Sequence, residues 1–174
     1  QKWWFETSIA ITDVSDLNTW VGFAQNGYAD SDTLPTDGIG FSHLQDTTTI
    51  QFISRKNGAG VSFDMLSSAG GSNFTFEDST IPTQTATVQA IPGNSVRLGF
   101  AYQPAGSEIG VTANQFKLYL NGNAVGVQAA TTVPDDIALE LNIMGAHKGT
   151  NANHLVCDYF NTFQSRVAGT GVSA

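Results

Sequence analysis

The chain has 174 residues, 41% hydrophobic and only 13% charged, with 15 Asp and Glu against 7 Lys and Arg for a formal net charge of −8. That composition, with eleven Phe and three Trp, excludes a disordered chain and suits one domain burying roughly 70% of its unfolded surface. Scattered basic residues exclude nucleic-acid binding by phosphate electrostatics, the short apolar runs exclude a membrane helix, and the single cysteine, Cys157, excludes a disulfide framework.

Alternation with a period of two dominates from the start, as expected of strands with one buried face. Residues 3–12 place Trp3, Phe5, Thr7, Ile9 and Ile11 on one face and Trp4, Glu6, Ser8 and Ala10 on the other. Asp13 to Leu17 could make one short helical turn, capped by Asp13 or Ser15. An apolar strand follows at Trp20-Val21-Gly22-Phe23-Ala24, where Trp20 reads as core. Ile39, Phe41 and His43 mark the next strand. Ile50, Phe52 and Ser54 mark another, and Val61, Phe63 and Met65 the one after. Beyond the turn clusters Ser68-Ala69-Gly70-Gly71 and Ile91-Pro92-Gly93-Asn94, the pattern resumes at Val96 to Tyr102 and at Phe116 to Leu120. Asn121-Gly122 is a strong two-residue hairpin signal leading into Ala124 to Gln128. Pro134-Asp135-Asp136 could open a second short helix, with its acids near the positive end of the dipole. Leu139 to Ile143 and Leu155 to Phe163 are the last strands.

Many short strands, polar outer faces and scarce helix signals predict an all-β, antiparallel two-sheet sandwich across residues 1–166. Residues 167–174 are small and Gly-rich and read as a C-terminal tail. The acids support the same reading. Eleven are Asp and four are Glu, and Asp favours turns through local backbone hydrogen bonds.

The motifs Trp4-Phe5-Glu6-Thr7-Ser8-Ile9-Ala10-Ile11, Trp20 to Ala24, Asp37-Gly38-Ile39-Gly40-Phe41 and Val96 to Tyr102 occur in a suggestive order. Leu118-Tyr119-Leu120-Asn121-Gly122, Val133 to Asp136 and Leu155 to Phe160 continue it. Together they resemble the concanavalin-like (laminin-G-like) jelly-roll domains of phage virion proteins. The resemblance departs from the usual pattern at Ser8, where a basic residue is common, and at Cys157. It implies a non-enzymatic capsid decoration or cement protein on the outer surface of the virion. The implied partners are the major capsid protein and further copies of the chain, with a homotrimer favoured.

The chemistry of individual residues is sparse. Glu6, Glu77 and Glu108 have no acid two or four residues away to pair carboxylates on one strand face for glycoside hydrolysis, and Glu140 has only Asp136, in the Pro134-Asp135-Asp136 turn cluster, so no catalytic residues are assigned. His154 and Cys157 are three apart, a spacing that faces them away from each other on a strand and disfavours zinc. No cofactor is expected. Asp30, Asp32 and Asp37 form a weak calcium candidate that lacks the twelve-residue loop pattern. Trp3 and Trp4, with Arg166 and Val167 near the other end of the chain, are the candidate subunit interface. Trp4 is also a candidate glycan contact, since an exposed indole stacks on sugar rings. Glycan binding on a particle or tail is therefore the alternative function.

Overall fold

The computed structural model describes residues 1–11, 17–29, 33–44, 49–68, 73–75, 87–89, 95–147 and 155–164, without the side chains of 66–68, 73–75, 87–89 and 147. Twelve strands carry the chain. They are β1 (Trp3–Ile11), β2 (Leu17–Gln25), β3 (Gly38–His43), β4 (Thr49–Lys56), β5 (Ala59–Ser68) and β6 (Asn73–Thr75). The second half supplies β7 (Thr87–Gln89), β8 (Val96–Gln103), β9 (Gln115–Leu120), β10 (Asn123–Ala129), β11 (Leu139–His147) and β12 (Leu155–Gln164). All pairings are antiparallel. A five-stranded sheet runs β10-β9-β8-β1-β12 and a seven-stranded sheet runs β11-β2-β3-β4-β5-β6-β7. This is the expected two-sheet β-sandwich of jelly-roll type.

The alternation read from the sequence decides which side chains meet between the sheets. Phe5, Leu98, Phe100, Phe116 and Leu118 of the five-stranded sheet face Val21, Phe41, Phe52 and Met65 of the other, all at 2% exposure or less. Ring centroids of Phe52 and Phe116 lie 5.0 Å apart, and those of Phe52 and Phe100 5.2 Å apart. Offset and edge-on aromatic contacts of this kind bind the two layers into one core.

Turn chemistry follows the same logic. Asn121 and Gly122 have φ of 50° and 84°, and Asn57 and Gly58 have 52° and 78°. Paired positive φ values define the type I′ turn whose twist matches that of the flanking strands.

Three expectations meet a different outcome or lie elsewhere. No helix forms at Pro134 to Asp136; Asp135 instead pairs with Lys56 of β4, and Asp136 lies 3.7 Å from the same ammonium. The segment stays non-helical because Ser54 and Thr132 exchange side-chain-to-carbonyl hydrogen bonds of 3.0 and 2.8 Å, pinning its start to β4. Residues 12–16 of the first expected helical turn lie outside the described residues, and Leu17 already belongs to β2. The 167–174 tail also lies outside them.

Trp20 is buried, but away from the inter-sheet core. Its neighbours Val21 and Leu17 point inward, so Trp20 points to the outer side of the seven-stranded sheet. There it clusters with Ala24 and Ile53, under Tyr28, Leu34 and Met144. Its indole lies across β3 because Gly38 and Gly40 leave room. A Cβ at either would stand 3.1–3.2 Å from Trp20 Cζ2.

The two long sides of the sandwich differ. On one, β10 packs on β5 so closely that a Cβ at Gly126 would sit 2.4 Å from the Phe63 ring. On the other, the end strands β11 and β12 come together at Gly145, where an added Cβ would stand 3.3 Å from Leu155. Among the described residues neither strand has a partner on its outer edge.

Candidate binding groove at the open side

Where β11 and β12 part, a groove of about 330 Å³ opens, lined by Trp3, Trp4, Phe23, Leu139, Thr162, Phe163 and Gln164. Four elements build it. β1 contributes its first two residues, β2 its end, β11 its start and β12 its end. The register explains the gathering, because Trp3 pairs with Gln164, Trp4 with Phe163, and Leu139 with Gln25 two residues past Phe23.

The two adjacent tryptophans divide as period-2 geometry demands. Trp3 turns inward, edge-on to Phe100 at 5.2 Å and to Phe23 at 5.9 Å, and forms the groove's floor. Trp4 turns outward beside Phe163, which is 65% exposed. Directly paired residues share a face, so these two rings form one aromatic patch. Gln164 and Thr162 put an amide and a hydroxyl at its border, and Gln164 Nε2 donates to Gln1 Oε1 at 2.6 Å.

Exposed apolar side chains continue along this side. Phe160 is 47% exposed, Val156 46% and Ile143 of β11 40%. Phe160 belongs to the inward-facing set, opposite Thr7, yet it emerges because β12 is the last strand of its sheet.

The outward face of the five-stranded sheet carries most of the remaining polar chemistry. The Tyr159 hydroxyl donates to Glu6 Oε1 at 2.7 Å. Loss of hydration, then the Glu6 bond and charge, hold the Tyr159 phenol above its ordinary range, against a smaller opposing effect of Arg97. Arg97 itself donates to the Asn121 carbonyl at 3.0 Å. Lys2 donates to Glu108 at 2.7 Å, and this bond and its charge, assisted by the charge of Lys117 and by Gln103 at 3.1 Å, hold the Glu108 carboxyl below its ordinary range.

The other residues singled out from the sequence are dispersed. Asp37, from the calcium candidate, is 7% exposed, and its Oδ1 accepts the Asn57 N–H at 2.8 Å, bracing the β4–β5 turn. Asp30 and Asp32 lie outside the described residues, as do Arg166 and Val167 of the interface set. His43 is fully buried with its ring Nδ1 3.1 Å from the Thr49 carbonyl, and Cys157 is half-buried with its Sγ 3.5 Å from Thr7 Oγ1. Among the described residues no three His, Cys, Asp or Glu side chains are grouped to hold a metal ion.

Sequence reasoning reached Trp3 and Trp4 but missed Phe163, Phe23, Leu139, Thr162 and Gln164. Alternation marks which face of a strand a residue takes. It carries no information that the first strand of the chain pairs with residues some 160 positions away.

No protein-family model matches the sequence, and no curated protein is similar to it by sequence. The fold is similar to solved structures, among them a carbohydrate binding module, CBM66, from Bacillus subtilis. That likeness covers 94% of this chain and 75% of that one, with 11% sequence identity and a TM-score of 0.43.

Proposed function

We propose that this chain is a non-catalytic recognition module that binds carbohydrate through the groove at the open side of the sandwich. One observation carries the reading. An aromatic patch of Trp4 and Phe163 borders an open groove with the Gln164 amide and the Thr162 hydroxyl at its margin. Sugar rings present apolar C–H faces that stack on aromatic rings, and rims of hydroxyls that need donors and acceptors, so a groove of this mixed chemistry suits them. A glycan array followed by calorimetry tests it. Trp4→Ala and Phe163→Ala each weaken binding by about ten-fold, a loss of ~1.4 kcal/mol, while the melting temperature stays within a few degrees. Absence of binding to any glycan, or equal binding by both variants, would overturn the reading.

A second reading, decoration of a phage shell, draws on the apolar edge formed by Val156, Phe160 and Phe163. An unpaired strand with exposed apolar side chains favours contact with another protein surface, here the major capsid protein or further copies in a trimer. On this reading the chain sits on the outer surface of the virion, where added contacts across subunit joints resist rupture. The purified protein then binds expanded shells and raises their heat resistance, and a Phe160→Lys variant loses both effects. Shells equally heat-resistant with and without the protein would exclude cementing.

A further inference from the structure

We infer that the outer side of the seven-stranded sheet carries a separate binding site, a hollow at the β4–β5 hairpin that takes a small hydroxylated carboxylic acid of hexose size. It lies on the sheet opposite to the one that carries Trp4 and Phe163, so it stands apart from the groove and from the carbohydrate reading.

The hollow has a volume of about 280 Å³, and its lining includes Leu34, Gln51, Ile53, Arg55, Gly60 and Ser62. At ~30 Å³ per water this space holds roughly nine waters, the bulk of one hexose-sized molecule. Gln51, Ile53 and Arg55 share the outer face of β4, because Phe52 between them belongs to the inter-sheet core. The register pairs Gly60 with Arg55 and Ser62 with Ile53, which sets these residues of β5 on the same face. Gly60 gives way to the arginine. A Cβ there would stand 2.6 Å from Arg55 Cγ, so the Arg55 stem lies over β5, where its guanidinium donates to the Gly58 carbonyl. Beyond it β5 presents only the short, exposed Ser62 beside Ile53, and the space above remains open.

The order of side chains along the hollow selects the ligand. Arg55 is half-buried and belongs to none of the ion pairs among the described residues. Its bond to the Gly58 carbonyl leaves most of its donor fork for a ligand, and a planar guanidinium matches the two oxygens of a carboxylate. At the other end, about 13 Å along β4 at ordinary strand rise, the Gln51 amide donates to Asp64 at 2.7 Å. That bond leaves the Gln51 carbonyl oxygen to accept from a ligand hydroxyl. Between the two ends Ile53 and Leu34 supply apolar surface for C–H groups, and the Ser62 hydroxyl faces the space from β5. Cation, apolar floor and hydrogen-bonding end together fit a molecule with a carboxylate at one end and hydroxyls at the other. Phosphate fits worse. Asp64 stands on the same face beside Gln51, while Lys56 takes the opposite face and pairs with Asp135, so a dianion would meet one cation and one carboxylate.

Trp20 provides the readout. It packs with Ile53 and Leu34 directly behind the hollow, and its Nε1 is buried without a hydrogen-bond partner, so its resonance follows those neighbours rather than solvent. The experiment titrates the whole isotope-labelled chain, followed by nuclear magnetic resonance, with glucuronate, gluconate and quinate, with the amide of each, and with inorganic phosphate. At least one acid shifts the backbone amides of Arg55, Gly58, Gly60 and Ser62 and the Trp20 indole N–H. The indole resonances of Trp3 and Trp4, which belong to the groove, stay in place. The matching amide binds about ten-fold more weakly, Arg55→Gln removes that preference and Arg55→Lys keeps part of it. Ser62→Leu fills the hollow and abolishes the shifts with unchanged melting, since Ser62 is exposed. No binding of any acid, shifts confined to the groove indoles, equal binding of acid and amide, preference for phosphate, or binding that survives Ser62→Leu would overturn the site. None of these results bears on the groove, whose glycan binding depends on Trp4 and Phe163 and persists in Ser62→Leu.

Discussion

Gly40 is a tight position on the outer side of the seven-stranded sheet. A Cβ there would approach the Val21 carbonyl to 2.6 Å and Gly22 Cα to 2.8 Å, and would press on the Trp20 indole at 3.2 Å. Two of the three obstacles are backbone, so little can yield, and Gly40→Ala destabilises the fold by about 2–3 kcal/mol in urea unfolding. Gly106 provides the contrast. Its φ is +73° with nothing within 4 Å of an added Cβ, so Gly106→Ala meets only the left-handed backbone penalty of about 1 kcal/mol. Tyr159 gives a pH signature at the same scale. Its phenol is held above the ordinary value of 10.0 in the folded chain, chiefly by burial and by Glu6. The folded state therefore keeps a proton that the unfolded state releases, and the associated stability is complete below pH 10.0 and fades as pH rises through the folded value. Tyr159→Phe flattens the alkaline limb of a stability-versus-pH curve. An unchanged limb would mean that folding does not raise the Tyr159 phenol.

Strand position in the sheet governs behaviour at the next scale. β1 lies between β8 and β12, whereas β12 pairs with β1 alone. Amide hydrogen exchange should therefore be slow throughout β1 and alternate between slow and fast along β12, as every second N–H points away from β1. Uniform protection of β12 in the isolated chain would mean that something covers its edge. A different tie holds the β4–β5 hairpin to the segment before β11. The Lys56 partnership holds the Asp135 carboxyl below its ordinary 3.8, and Asp135 in turn holds the Lys56 ammonium above 10.5. The contribution is present above the unfolded carboxyl value and disappears as pH falls through the folded one. Asp135→Asn thus narrows the difference between urea midpoints at neutral and acid pH, and added salt mimics it.

Elements are also where the sequence was most and least legible. Alternation located ten strands, and Asn121-Gly122 located a hairpin, because both signals are local. β6 and β7, at three residues each, are too short to show a period. Pro134-Asp135-Asp136 looked like a helix start, but the Lys56 pair and the Ser54–Thr132 bonds are long-range and override it. The groove was half legible for the same reason. Trp4 stood out by type, whereas Phe163 and Gln164 join it only through the closing β1–β12 pair.

The whole molecule behaves as one unit if its sheets share one core. Phe5, Phe100 and Phe116 from one sheet and Phe41 and Phe52 from the other belong to a single buried cluster. Trp3 packs against that cluster, while Trp20 belongs to the separate one beneath Tyr28, Leu34 and Met144. The two indoles therefore report on different layers. In a Trp3→Phe/Trp4→Phe variant only Trp20 fluoresces, and in a Trp4→Phe/Trp20→Phe variant only Trp3 does. Urea transitions followed by fluorescence and by circular dichroism should share one midpoint within each variant, since Trp20 rests on β3 and β4, whose inner faces are the core itself. Phe52→Leu, introduced into both, should lower both midpoints by a similar amount, equivalent to about 1–2 kcal/mol. If Trp20 instead lost its environment at lower urea than the backbone signal, the outer cluster would be a separately melting layer. Loosening there would leave the five-stranded sheet, and the binding face it carries, intact.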